Sequence, residues 1–353
     1  MAIIDGTDFD DIIYQDDDTE VSIYGYDGDD DIYLNNTSPH GGFNYVNAGD
    51  GRDLVVNYFE GGNDIFLGDG NDVYIADIKA GDSSSYDVVK GGYGNDRFEV
   101  DTEASKYYGE SGNDTFKSVG VDNYFHGGTG TDTISYQLQD SYDSQRGKGV
   151  SIDLDDQWAS TGGDHEETLI SIENATGTNR GDDDITGTNG RNILKGLGGD
   201  DILDGLGGND DLYGGTGDDK LYGGSGDDDL VGSSGDDLLV GGLGNDYLVG
   251  GTGEDTFEFN SIRESVVGVK KDVIKDFHRS EFDVIDLSGI DANEDRGGNQ
   301  KFSYIGSSAF HDKAGELRFS AGVLSGDVDG DGRADFQIKV AGVTKMFADD
   351  FIL

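Results

Sequence analysis

Residues 214–231 read GGTGDDKLYGGSGDDDLV, two nine-residue units that each place glycine first, aspartate sixth and leucine eighth. With glycine at place one, nine units run without a slip from Thr178 to Glu258. Their sixth places are Asp183, Asn192, Asp201, Asp210, Asp219, Asp228, Asp237, Asp246 and Asp255. Their eighth places are Ile185, Leu194, Leu203, Leu212, Leu221, Leu230, Leu239, Leu248 and Phe257. An amphipathic helix needs an apolar period near 3.6, which a repeat of nine does not supply. A six-residue turn and a three-residue strand fit better. Glycines at places one, two and four permit positive φ and close backbone approach. The eighth side chain points inward while its neighbours point outward. Two units make one coil of about 18 residues, and stacked coils pair at ~4.8 Å. The expected fold is all-β, a parallel β-roll or β-helix roughly 20 Å long over these units, its narrow core shared between neighbouring coils.

Such a stack sets Asp201 over Asp219 and Asp210 over Asp228, and the chain cannot neutralise them itself. It carries 74 acidic and 24 basic residues, a formal net charge of −50. That excess argues against nucleic acid and anionic membranes as partners and for a cation. A hard cation between successive turns could take sixth-place carboxylates and carbonyls of the glycine-rich backbone. All-oxygen ligation in an adaptable cage favours Ca²⁺ over Mg²⁺. Disorder, the other reading of high charge with low hydropathy, conflicts with the regular recurrence of Ile, Leu, Val, Phe and Tyr. With no cysteine, disulfide staples and thiolate metal sites are excluded. The opening MAIIDGTDFDDIIY lacks the basic and long apolar segments of a cleaved signal peptide. No apolar run reaches transmembrane length. The expectation is a soluble protein without a Sec signal.

GGTGDDKLY, GGSGDDDLV and GGLGNDYLV resemble the repeats-in-toxin (RTX) nonapeptide, GGxGxD followed by x, an apolar residue and x. The resemblance implies inter-turn calcium sites on Asp183, Asp201, Asp219, Asp237 and Asp255 along one edge, and on Asp210, Asp228 and Asp246 along the other. Asn192 departs from the motif, so the first site on its edge is expected to be weak.

The same frame reappears over residues 82–135, with sixth places Asp87, Asp96, Ser105, Asp114, Asn123 and Asp132. Only alternate units keep a good turn (GGYGND, GESGND and GGTGTD), which predicts calcium on Asp96, Asp114 and Asp132 along one edge. The eighth places, among them Phe98, Tyr107, Phe116 and Phe125, give this stretch larger aromatics in its core. Further upstream GYDGDDDIY, AGDGRDLVV, EGGNDIF and GDGNDVY repeat the motif with irregular gaps, interrupted by loops such as NNTSPHGG. Four segments result: an irregular, partly degenerate roll over 1–136, connector strands over 137–177, the regular roll over 178–258, and a C-terminal β module over 259–353.

That last stretch resembles the C-terminal module shared by serralysin-type secreted proteases and many non-proteolytic exported proteins. Within it DVDGDGRAD sets Asp327, Asp329, Asp331 and Asp335 around Gly332. The first three alternate as EF-hand ligands do, but no Glu holds the twelfth place, so the loop is a calcium candidate of incomplete pattern. Asp276, Asp283 and Asp286 read as strand-end acids or extra ligands, structural first. In the resembling family, an acidic residue followed by short apolar residues, as in MFADDFIL, belongs to an uncleaved type I secretion signal.

Catalytic signatures are lacking. There are five histidines, His40, His126, His165, His278 and His311, and HEETL has no second histidine four residues on, so the zinc-protease motif is absent. Neither a G-x-S-x-G elbow nor a Walker A sequence occurs. The expected function is a secreted calcium-binding β-roll protein, exported by a type I apparatus, with no catalytic residues, serving at a matrix, polysaccharide or host surface. The alternative is an alginate-epimerase-like or glycan-lyase enzyme, which would need a groove holding a basic residue and a Tyr or His beside carboxylates.

Overall fold

Short parallel strands stacked coil upon coil are what the nine-residue period predicts, and they are what the chain forms. The computed structural model describes residues 2–15, 20–34, 43–58, 62–77, 86–141, 147–162, 165–293 and 296–353. The loop at 35–42, with His40, lies outside the described residues. The chain divides into two compact units, Met1–Thr178 and Asn179–Leu353.

In the first unit the chain alternates between two parallel sheets, and each coil contributes inward side chains to both. Down one sheet Ile23, Val46, Ile65, Val89, Tyr107, Phe125 and Leu169 lie in register. Down the other run Ile13, Ile32, Val55, Tyr74, Phe98, Phe116, Ile134 and Ala175. All are buried. The core widens where the aromatics cluster, with Phe98 stacked on Phe116 at 4.8 Å and Tyr107 on Phe125 at 5.3 Å. The irregular spacing upstream does not break the stack. Coils of 19, 23, 19, 24, 18 and 18 residues separate the equivalent acids Asp11, Asp30, Asp53, Asp72, Asp96, Asp114 and Asp132.

The connector is itself part of the solenoid. Glu167–Ile170 and Asn174–Thr176 pair with Tyr124–Thr129 and Thr133–Ser135 in the same register as any coil. Between them the antiparallel pair Ser151–Asp153 and Trp158–Ser160 is an insertion. The sequence shows a break here because the inserted hairpin displaces the period, while the pairing resumes beyond it.

In the second unit Leu194, Leu212, Leu230, Leu248 and Ile274 stack down one sheet. Ile185, Leu203, Leu221, Leu239, Phe257 and Ile285 stack down the other. Three repeat strands, Asp184–Thr186, Ile202–Asp204 and Thr256–Glu258, are three residues long, and the other six are longer. Asp211–Thr216, Lys220–Ser225 and Asp229–Ser234 each run on through the next unit's glycines. Pairing skips only the place-one glycine, as at Gly214 between the Tyr213 and Gly215 pairs. The turn proper is therefore three residues, such as Gly217 to Asp219. Past the repeats, Val273–Ile274 and Val284–Asp286 continue the two sheets. An antiparallel trio, Glu316–Ser320, Val323–Asp327 and Phe336–Val340, closes the unit. Phe351–Ile352 docks beside Ile285 and Asp286.

The place-four glycines are needed because stacked turns touch through backbone. Gly226 has φ +141°, and a Cβ there would overlap the carbonyl oxygen of Gly208 one coil earlier. Gly226→Ala should therefore destabilise the second unit by about 1–3 kcal/mol or more. Gly297→Ala, where a Cβ meets nothing within 4 Å, should not. Thermal melts of both variants in calcium check this, and equal melting temperatures would contradict the stacked-turn packing.

Candidate metal centre

Most sixth-place aspartates divide their carboxylate between two tasks. Oδ1 accepts the backbone N–H of the equivalent residue one coil earlier. In the second unit the N–H groups of Asp183, Asp201, Asp219 and Asp237 donate to Asp201, Asp219, Asp237 and Asp255 at 2.8, 2.9, 2.8 and 3.1 Å. Along the other edge Asn192, Asp210 and Asp228 donate to Asp210, Asp228 and Asp246 at 2.7, 2.8 and 2.9 Å. Oδ2 of Asp201, Asp210, Asp219, Asp228, Asp237, Asp246 and Asp255 is buried and has no hydrogen-bond partner.

The orphaned oxygens face a cradle that only glycine leaves open. A Cβ on Gly214, Gly232 or Gly250 would overlap Oδ2 of Asp219, Asp237 or Asp255, five residues on. The carbonyl oxygen of Gly250 lies 2.7 Å from the point a Gly232 Cβ would occupy. Carboxylate and carbonyl oxygens from neighbouring coils thus border the same small space, a donor set suited to Ca²⁺. Leaving buried carboxylate oxygens without partners is costly, since nothing replaces the lost hydration. The residues present fit a cation.

In the first unit the same arrangement runs along one edge. Asp30, Asp53, Asp72, Asp96 and Asp114 donate N–H to Asp53, Asp72, Asp96, Asp114 and Asp132 at 2.9, 2.8, 2.9, 2.8 and 2.7 Å. Oδ2 of Asp30, Asp53, Asp72, Asp96, Asp114 and Asp132 is again buried without a partner. Glu173 ends the row, accepting from Asp132 N–H at 2.8 Å. The opposite edge makes the same backbone bond mostly with neutral groups. Val21, Asn44 and Asn63 donate to Asn44, Asn63 and Asp87, then Asp87 and Ser105 donate to Ser105 and Asn123. The acid on this edge that the frame did not anticipate is Glu167, buried and held by Ser118, Asn123 and Tyr136 at 2.8, 3.0 and 2.6 Å.

Sequence reasoning missed several members. Asp30, Asp53 and Asp72 stand in GxD-type turns whose irregular spacing hid the frame. Asp272 lies beyond the repeats, yet it accepts N–H from Asp246 at 3.0 Å and extends one row; Asp283, which the sequence offers as a strand-end acid or extra ligand, accepts from Asp255 at 3.3 Å and extends the other. Asp276 instead accepts the Gly250 and Gly251 N–H groups, and Asp286 that of Ser288. A further row uses place five, where the N–H of Asp200, Asp218, Asp236 and Glu254 donates back to Asp182, Asp200, Asp218 and Asp236. Asp or Asn at that place was its only signal.

In the C-terminal loop, ligand atoms of Asp327, Asp329 and Asp335 lie within 4.8 Å of one another. Asp331 is not in that group and accepts the Arg333 N–H at 2.8 Å. Both Asp327 oxygens already accept N–H groups, from Gly330 and Gly332. Three histidines pair with acids, His165 with Asp122 and His278 with Glu281 at the surface, and His311 with the buried Glu316. His126 packs among Tyr108 and Tyr124.

Loss of hydration drives the row acids upward in pKa, opposed by the N–H each accepts. Asp201 and Asp272 are pushed up to about 8, Asp53, Asp96, Asp132, Asp210, Asp237, Asp246 and Asp255 to about 7, and Asp72, Asp114, Asp219 and Asp228 to about 6. All lie above the unfolded value near 4. The cation-free fold therefore binds the extra protons, and its stability is full at acid pH and lost as pH rises through about 6 to 8. In EDTA the melting temperature should fall between about pH 5 and pH 8, and a flat profile would refute this accounting. Calcium uptake should release protons, so its affinity should weaken below about pH 6.

The family model of the RTX calcium-binding nonapeptide repeat (4 copies) matches residues 20–36, 108–139, 178–212, 204–239 and 222–257. No curated protein matches the sequence. Among solved structures, the solution structure of the AlgE6R3 subunit from the Azotobacter vinelandii mannuronan C5-epimerase is similar at 28% identity, covering 44% of this chain and 80% of that one with a TM-score of 0.29. The chain thus carries RTX calcium-binding nonapeptide repeats on a parallel β-solenoid.

Proposed function

We propose that the chain is an extracellular β-solenoid that folds on calcium and serves as a scaffold or binding protein at a matrix, polysaccharide or host surface. The observation that carries this reading is the row of buried, unpartnered Oδ2 oxygens, set one coil apart over glycine cradles. The ions would be held by Asp30, Asp53, Asp72, Asp96, Asp114 and Asp132 in the first unit. In the second they would be held by Asp201, Asp219, Asp237 and Asp255 on one edge and Asp210, Asp228 and Asp246 on the other. Bound calcium supplies the positive charge that lets these acids stay ionised in register. The chain's own residues do the positioning: each backbone N–H fixes one carboxylate oxygen and aims the other at the cradle. Asn192 has no carboxylate to offer, which leaves the start of its edge weaker. Asp327, Asp329 and Asp335 form a separate candidate.

The same physics suits export. At the low free calcium of cytoplasm, like charges one coil apart repel and keep the repeats loose. Outside, calcium at roughly millimolar concentration fills even modest extracellular-type sites, and binding to the ordered state supplies folding energy. We assign the export signal to the last tens of residues, read by a type I apparatus. There Asp350 is buried and paired with Arg279 at 2.6 Å, and Phe351 is docked in the sheet, contacts that form only after passage.

Circular dichroism at neutral pH should show the β signal lost in EDTA, restored by excess Ca²⁺ and restored much less by Mg²⁺. A cooperatively folded chain at nanomolar free calcium would sink the proposal. Within the first unit, Asp114→Asn should weaken two calcium sites by calorimetry, toward Asp96 and toward Asp132. Asn123→Ser on the neutral edge should leave the stoichiometry unchanged. Equal losses would mean that both edges bind metal. For export, removal of residues 300–353 should abolish secretion through a type I exporter, and equal secretion of the truncated chain would overturn that assignment alone.

A further inference from the structure

The outer face of one sheet in the first unit carries aromatics that the fold does not use. Strand alternation points Tyr24, Tyr45, Phe66, Tyr108, Tyr124 and His126 away from a core already filled by Tyr107, Phe125 and their neighbours. These outward rings touch across coils. Tyr24 and Tyr45 lie 5.7 Å apart, Tyr45 and Phe66 5.5 Å, Tyr108 and Tyr124 5.6 Å, and Tyr108 and His126 6.1 Å. Lys90 bridges the two clusters, 5.2 Å above the Phe66 ring. In the second unit, by contrast, each ring pair includes a buried ring: Phe257 with Phe277, Phe302 with Phe336, and Tyr304 with Phe351.

Two adjoining hollows follow this face and share Tyr45. One, about 400 Å³, is bordered by Tyr24 and Phe43. The other, about 610 Å³, is bordered by Phe66, Asn47, Asp69, Glu110 and Tyr93. Tyr93 is 68% exposed. The groove crosses the strands, so it runs in the direction in which coils stack and offers a similar surface coil after coil. That shape fits a linear polymer. Its charge selects which one. Asp64, Asp69 and Glu110 line the hollows, and Lys90 on the same face is already 3.8 Å from Glu110. An anionic polymer would meet uncompensated carboxylates there. A neutral sugar polymer would lay the apolar C–H faces of its rings on the aromatics, and its hydroxyls would donate to the carboxylates and pair with Asn47.

We propose that this aromatic face of the first unit binds a neutral linear polysaccharide, laid across the strands along the stacking direction. The proposal rests on the extracellular reading above only for where such a polymer is met.

The test uses the full chain in millimolar calcium, with insoluble cellulose and soluble galactomannan as neutral probes and alginate as the anionic one. Depletion assays and affinity gels should show saturable binding to at least one neutral polymer and none to alginate at equal concentration. The double variant Tyr45→Ala with Phe66→Ala should bind at least about tenfold more weakly, because two stacking contacts are lost. Tyr45→Phe should keep most of the binding. Tyr213→Ala, at an outward ring 40% exposed in the second unit, should bind as the parent does. Circular dichroism in calcium confirms that each variant is folded. No binding to either neutral polymer, undiminished binding by the folded double variant, or equal binding to alginate would each overturn the proposal. A chain that stays folded in EDTA and still binds cellulose would remove the calcium reading and leave this one standing.

Discussion

The structure depends on how a buried aspartate spends its two oxygens. One oxygen of each row acid receives a backbone N–H from the coil before, which locks successive turns in register. The other is left inside the turn with no proton donor. The first bond is what any polar side chain at that place can make, and Asn44, Asn63 and Ser105 make it. The second oxygen is what distinguishes aspartate, and it is stable only when protonated or facing positive charge. The glycine cradle follows from the same need, because a Cβ at place one would fill the space that oxygen faces.

The regular repeat made much of this legible. A period of nine with one acid and one apolar residue per unit admits few folds, and the stacked leucines of the second unit follow from it directly. The upstream ladder was readable over residues 82–135, where coils are 18 residues long. It was not readable where coils stretch to 23 or 24 residues, so Asp53 and Asp72 were passed over although their hydrogen bonds are the same. Coil length is weakly constrained physically, because a turn can bulge outward without disturbing the pairing on either side. Register is strongly constrained, because a slip by one would turn every core side chain outward. Sequence spacing reports the first and structure preserves the second. The insertion at 151–160 misled for that reason, as did Asp272, which keeps its place in the row without any surrounding glycine motif.

The two units settle the same conflict in different proportions. In the second, both edges are acidic and the repeat core is aliphatic, mostly one leucine per unit. Such a core buries little apolar surface per coil, so holding the turns against their own charge falls largely to whatever occupies the cradles. In the first, one edge is nearly neutral and the core contains stacked aromatics, each burying more area than a leucine. More core and fewer unpaired acids should make that unit less dependent on cations. Its buried Glu167 fits the same logic: an acid on the neutral edge is tolerated because Ser118, Asn123 and Tyr136 donate to it, so its charge is met by hydrogen bonds where each row acid has one oxygen without a hydrogen-bond donor. A unit that holds together more on its own packing is also the better place for an outward binding face, because the rings along it keep their spacing when calcium varies.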